Sequence, residues 1–269
     1  MTYFICGTCG TQFAATEAPP AECPICADDR QYLAPDGQRW TTLSSLQETY
    51  HNAIKAVETN LTGIGTHPTF AIGQRALLVQ TPEGNLLWDC ISLIDDPTIA
   101  AVKALGGVEA IAISHPHYYS CMVEWAHAFD ATIYLHAADR RWVMRQDPSI
   151  TFWDGKTKSL FGGLTLICAG GHFPGGTVAH WPAGADGRGA LLTGDIIHVV
   201  ADRRYTTFMY SYPNMIPLSA GDVRHVVEAV APFEYDRIYG AWWEKIIMEK
   251  AREGVEFSAD RYIKAINDR

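Results

Sequence analysis

Two Cys-x-x-Cys pairs stand near the N-terminus, Cys6 with Cys9 and Cys23 with Cys26. Each short loop presents two sulfurs to one point, so four thiolates can close a tetrahedral metal site. Much further along, His115 and His117 are separated by a single residue. His172 lies in the run Gly170-Gly171-His172-Phe173-Pro174-Gly175-Gly176, and Asp195 follows Gly194. If the chain stays extended through the His pair, both imidazoles point the same way and can grip one ion. Three imidazoles with a carboxylate suit a hydrolytic zinc site or a non-haem iron site.

These groups follow apolar runs that read as strands: Leu86-Leu87-Trp88-Asp89, Ala110-Ile111-Ala112-Ile113-Ser114, Leu164 to Ala169, and Leu191-Leu192-Thr193-Gly194. Strand ends that feed loops at one sheet edge are where α/β proteins build their sites. The spacing predicts further strands over 76–80, 132–135 and 237–240, and helices over 96–105, 122–129 and 222–230. It also predicts a short helix from Ala137 and C-terminal helices, with Ser258 as N-cap of the last. Leu43, Leu46, Tyr50, Ile54 and Val57 recur at helical spacing, which predicts one helix over 40–61. The chain thus divides into a four-cysteine knuckle over 1–39, a linker helix over 40–61 and a main domain over 62–269. Two aromatic-rich stretches, 142–159 and 200–220, have no regular period; the second holds Tyr205, Phe208, Met209, Tyr210 and Tyr212. Long loops of this kind serve as lids or binding walls, or pack on the surface.

Composition narrows the function classes. The chain has 269 residues, 48% hydrophobic and 19% charged, which is a globular composition. Its net charge of −9 argues against nucleic acid or an anionic membrane as partner. The knuckle is not basic either: Arg30 and Arg39 face Glu17, Glu22, Asp28, Asp29 and Asp36. The cysteine count, seven, is odd, and four of them sit in the paired motif, which suits metal binding in a reducing compartment better than disulfides. With no basic-then-apolar leader at Met1, the expectation is a cytoplasmic protein with a small-molecule substrate. Nothing in the sequence sets an oligomeric state.

The knuckle looks like a zinc ribbon or rubredoxin-like module, with zinc or iron held by Cys6, Cys9, Cys23 and Cys26. A segment this small buries too little to fold without such a staple. The order and spacing of the later features resemble the metallo-β-lactamase superfamily over about 70–243. Asp89 corresponds to the Asp closing the family's early strand. His115 and His117 correspond to the first two residues of His-x-His-x-Asp-His, His172 to the His of Gly-Gly-His-x-Pro-Gly, and Asp195 to the metal-supporting Gly-Asp. The resemblance implies an α+β fold, the αββα sandwich, preceded by the small knuckle module.

Departures from the pattern matter. Tyr119 and Ser120 stand where the family has Asp and His, and Ile238-Tyr239-Gly240-Ala241-Trp242 carries no His where another is usual. The missing groups are ligands of a second metal, so one ion is expected, on His115, His117 and His172, with Asp195 as fourth ligand or as acid–base group. The ion is expected to be zinc, with iron as the alternative. Tyr118 or Tyr119 could donate to a developing oxyanion. Asp89 and His198 are expected in support behind the ligands. Trp242 and Trp243 are expected to fill the space of the absent second site. Three readings follow: a mononuclear hydrolase of an ester, thioester or lactone; an iron oxidoreductase resembling persulfide dioxygenases, through His115, His172 and Asp195; or a degenerate, non-catalytic metal-binding module.

Overall fold

The structure is a computed structural model and describes residues 1–267. The chain forms two compact units, one of residues 1–135 with 139–152, the other of 136–138 with 153–267. No helix among the described residues is long and apolar enough to cross a membrane.

The first unit is built on a seven-stranded sheet whose strands follow chain order from His51–Glu58 to Ile150–Trp153. Hairpins pair the first four strands antiparallel; Gly84–Trp88, Ala110–Ala112 and Thr132–His136 then run parallel. Parallel neighbours need crossover segments. Helices Asp96–Ala104 and Met122–Phe129 supply them. Asp95 caps the first, its side chain accepting from the Thr98 N–H at 2.9 Å, and Asp130 in the left-handed region ends the second. The central strands read as unbroken apolar runs because both faces are covered: Leu77, Leu78, Leu86, Leu87, Ile111 and Ile133 are all buried.

The helix expected over 40–61 is not formed. A short helix, Leu43–Thr49, is followed by the strands His51–Glu58 and Leu61–His67, paired with Ile54 opposite Ile64. The helix ends at Thr49 although the apolar residues keep helical spacing as far as Val57. Beyond Thr49, Ile54 and Val57 are β-branched, and Asn60, with φ of 63°, turns the chain so that a partner strand lies alongside. Cross-strand pairing overrides the weaker helical pattern.

The second unit carries a six-stranded sheet, ordered Thr157–Ser159, Thr165–Cys168, Thr177–Trp181, Ala190–Gly194, Arg237–Gly240, Ile246–Ile247. Ala190–Gly194 and Arg237–Gly240 are parallel. Helix Ala220–Val230, capped by Ser219, connects into the parallel pair. With helix Ala251–Asn267 it packs Val223, Val226, Val230 and Val255 against Ile167, Val178, Leu191 and Ile238. Ser258 is not an N-cap. It lies inside Ala251–Asn267, where its hydroxyl donates to Gly254 O at 2.6 Å and accepts from the Thr206 N–H at 3.0 Å. The stretch 142–159, expected to be irregular, contributes two strands, Ile150–Trp153 and Thr157–Ser159.

Candidate metal centres

The knuckle forms as its spacing predicts. Ile5–Cys6 pairs with Trp40–Thr41, and the turns at each end of the motif are closed by Gly10 N to Cys6 O (2.9 Å) and Cys26 N to Cys23 O (3.0 Å). The four cysteines are buried, unoxidised, and form one group that could hold a metal ion. Cys6 and Cys26 sulfurs are 3.6 Å apart, and those of Cys9 and Cys23 are 3.7 Å apart. A tetrahedron with zinc–sulfur bonds of about 2.3 Å has edges of about 3.8 Å, so the cage matches a thiolate-bound ion. Four crowded thiols cannot all ionise alone. Hydrogen bonding to Cys23 pushes Cys9 and Cys26 up and draws Cys6 down, and burial opposes ionisation at each. A divalent cation removes that conflict.

The rest of the first unit builds the His pair from behind. Asp89 takes the left-handed region at the end of its strand, with φ of 58°, and its Oδ1 accepts from the Ser114 N–H at 2.8 Å. Burial pushes the Asp89 carboxyl up to about 7, against the hydrogen bonds from Ser114. The Ser114 hydroxyl lies 2.9 Å from His115 Nδ1. Asp89 and the His115 ring are thus linked through Ser114. His115 is extended, with φ of −171°, but the chain does not stay extended: Pro116–Tyr118 is a single 3-10 turn. The turn, rather than a strand's alternation, sets the buried rings of His115 and His117 5.0 Å apart at 76°.

Tyr118 lays its ring 4.4 Å from that of His115. Tyr119 lines a cavity of about 10 Å³ with Thr11, Gln12, Met144 and Arg145. Burial, then the Asp139 carboxylate, hold its phenol well above the usual range, so it stays protonated. Ser120, where the family pattern has a His, has a structural task. Its Oγ accepts from Gln74 Nε2 at 3.0 Å and donates to Cys90 O at 3.3 Å. Cys121 is core, buried with Ile5, Leu46 and Leu93.

The second unit presents His172 and Asp195. The glycine-rich loop is pinched shut where the Ala169 and Gly170 N–H groups both donate to Gly176 O, at 2.8 and 2.9 Å. A Cβ on Gly176 would lie 1.9 Å from Gly170 O, so only glycine permits this closure. Gly194, with φ of 55°, turns the chain out of its strand into Asp195. Both side chains are buried, and His172 Nε2 lies 3.8 Å from Asp195 Oδ1. That is too long for a hydrogen bond but short enough for both to face one ion.

Tyr212 is a contributor that periodicity could not single out within its loop. Its hydroxyl donates to Asp195 O at 3.0 Å, and its ring lies 6.1 Å from His172 and 4.9 Å from His198. Burial, and next the Asp195 carboxylate, keep this phenol protonated. His198 sits between Tyr212 and Trp242, whose ring is 5.4 Å away. Burial, helped by Lys245, pushes its imidazole down to about 4, so it is neutral at pH 7.

No protein-family profile matches the chain. Among solved structures it resembles the metallo-β-lactamase FIM-1 from Pseudomonas aeruginosa in its mono-zinc form, with a TM-score of 0.59 and 17% identity over 80% of this chain and 96% of that one. TMB-1 gives a TM-score of 0.60 at 14% identity, covering 80% of this chain and 99% of its own. The subclass B3 enzyme MEM-A1, from a soil metagenome, gives 0.53 at 20%, covering 80% and 97%. The fold is therefore the metallo-β-lactamase fold, an α+β fold preceded here by a four-cysteine cluster. Within it the chain is 52% identical over 269 residues to the uncharacterized protein YmaE of Bacillus subtilis (strain 168), covering 99% of this chain and 98% of that protein. The chain belongs to the family of YmaE.

Proposed function

We propose that the protein is a metal-dependent hydrolase acting on an ester, thioester or lactone, with one ion held by His115, His117 and His172. The observation that carries the reading is the candidate metal group these residues make: each offers one ring nitrogen, all within 4.8 Å of one another. The donors fit. Three imidazoles and a carboxylate suit zinc or iron(II). Because Ser114 occupies Nδ1 of His115, the nitrogen left to ligate is Nε2. A bound ion would supply Lewis acidity toward a carbonyl and toward water.

The chain's own residues do the rest. Asp195 accepts or orients a proton beside His172, at a position that Tyr212 fixes through the Asp195 backbone carbonyl. Tyr118, packed on His115, is the hydrogen-bond donor proposed for a developing oxyanion. Tyr119, turned to the cavity beside Thr11 and Arg145, is proposed as a protonated second donor only if substrate reaches that cavity. His198 stays neutral and acts through its packing on Tyr212.

Elemental analysis and turnover of neutral esters, thioesters and lactones test the reading together. His172→Ala should lose one equivalent of metal and all turnover, keeping the knuckle's equivalent. Full turnover by that variant overturns the hydrolase reading. Iron in place of zinc at the His site, in protein made with both available, points instead to an oxidoreductase using His115, His172 and Asp195. A wild-type protein that binds only the knuckle's ion points to a non-catalytic module.

A further inference from the structure

The four-cysteine segment is not packed as an independent appendage. Its turn Cys9-Gly10-Thr11-Gln12 lies against Ser92 and against Ser120, three residues after His117. The Ser92 hydroxyl donates to Gly10 O at 2.8 Å, and a Cβ on Gly10 would lie 2.5 Å from that hydroxyl, so the turn sits flush on its neighbour. The Gln12 N–H donates to Ser120 O at 3.0 Å, just downstream of His117. The Gln12 side chain, also buried, closes a second connection. Its Nε2 donates to Glu124 Oε1 at 3.1 Å, and its Oε1 accepts from Arg145. Arg145 in turn pairs with Glu124 at 2.6 Å, and the guanidinium lies 3.8 Å from the Tyr3 ring. Ser120 is held in the left-handed region, with φ of 46°, and leads straight into the helix beginning at Met122. Gln12 thus holds Ser120, in the link after the His-bearing 3-10 turn, by its backbone, and Glu124, in the first turn of the following helix, by its side chain.

We propose that Gln12 is a positioning residue: it transmits the order of the metal-filled knuckle to His115 and His117, so that the His site's affinity for its ion depends on it. The inference rests on the three-imidazole reading. Its physical basis is pre-organisation. A ligand whose support is loose loses affinity even though its own donor atom is unchanged, and losing one supporting contact typically costs 10–100-fold. An ion held by the four cysteines would fix Cys9, and Gln12 follows on the same turn.

The test uses full-length protein, zinc alone as probe, and a competing chelator to separate two equivalents. Gln12→Ala should keep the knuckle's equivalent at wild-type affinity and weaken the His-site equivalent about tenfold. Hydrogen exchange of the backbone amides over 116–122 should quicken in the same variant. The double exchange Gln12→Glu with Glu124→Gln preserves the hydrogen-bond partners and total charge, with the ion pair to Arg145 moved to position 12, and should recover both readouts. Wild-type affinity at the His site in Gln12→Ala overturns the inference, as does failure of the double exchange to recover it. Wild-type protein that binds only one equivalent overturns the three-imidazole reading and this inference with it. Two equivalents in wild type with an indifferent Gln12→Ala overturns the inference alone.

Discussion

Gly176→Ala is the substitution whose effect the geometry specifies most closely. The new Cβ would stand 1.9 Å from Gly170 O and 2.8 Å from Gly170 C, both backbone atoms, and 2.9 Å from Ile196 Cδ1. Rotation of a side chain cannot relieve the backbone contact. The two ends of the His172 loop must therefore separate by roughly 1 Å to reach an allowed carbon–oxygen approach. Separation breaks the hydrogen bonds from Ala169 N and Gly170 N to Gly176 O, now 2.8 and 2.9 Å. At about 1 kcal/mol each, the loss is about 2 kcal/mol, or a fall in Tm of about 4–8 °C for a chain of this size. A displacement of roughly 1 Å is several times the tolerance of about 0.2 Å on a metal–ligand distance. Metal affinity at the His site should fall about 10–100-fold while the knuckle's ion is unaffected. Chelator competition and calorimetry on the same preparation separate the two effects. A variant that loses the predicted stability but binds both ions as tightly as wild type would show that His172 is not a ligand. One that loses neither would show that the loop is not closed as described.

Two other predictions concern stability. His198 is driven down to about 4 from an ordinary value near 6.5, so its neutral form stabilises the fold above pH 6.5 and that contribution is lost as pH falls toward 4. The loss between pH 7 and pH 4 is about 3 kcal/mol, and His198→Phe should flatten that part of the pH–stability curve; parallel curves for the two proteins would contradict the assignment. Trp125 is wholly buried, with its Nε1 donating to Ile91 O at 3.0 Å. Trp125→Ala should cost about 4 kcal/mol by denaturant titration, and a cost below about 1 kcal/mol would mean the helix is not packed as described.

Much of the candidate site was legible because it depends on residue type and short spacing. The Cys-x-x-Cys pairs, the strand-end Asp89 and the Gly-rich loop around His172 read directly, since glycine and thiolate requirements are local. Helix Met122–Phe129 and strand Arg237–Gly240 have the bounds their periodicity predicts. What failed depended on partners distant in sequence. His51–Glu58 became a strand because Leu61–His67 was available to pair with it, and Ser258 lies inside a helix, where its hydroxyl accepts from the distant Thr206 N–H. His115 and His117 do come together, but through a proline-led turn that an alternation rule does not anticipate. Tyr212 could not be singled out: an aromatic in an irregular stretch gives no sign that its hydroxyl will reach Asp195 O.

Ser120 bears on how readily a two-ion centre could arise in this lineage. A histidine there would have to take the φ of 46° that Ser120 already adopts, a conformation uncommon for any residue but glycine. It would also remove one of the two acceptors of Gln74 Nε2, leaving only Cys90 O, at a position with 3% of its surface open to solvent. A histidine at this position would therefore leave one Gln74 N–H without its present partner unless residue 74 changed with it.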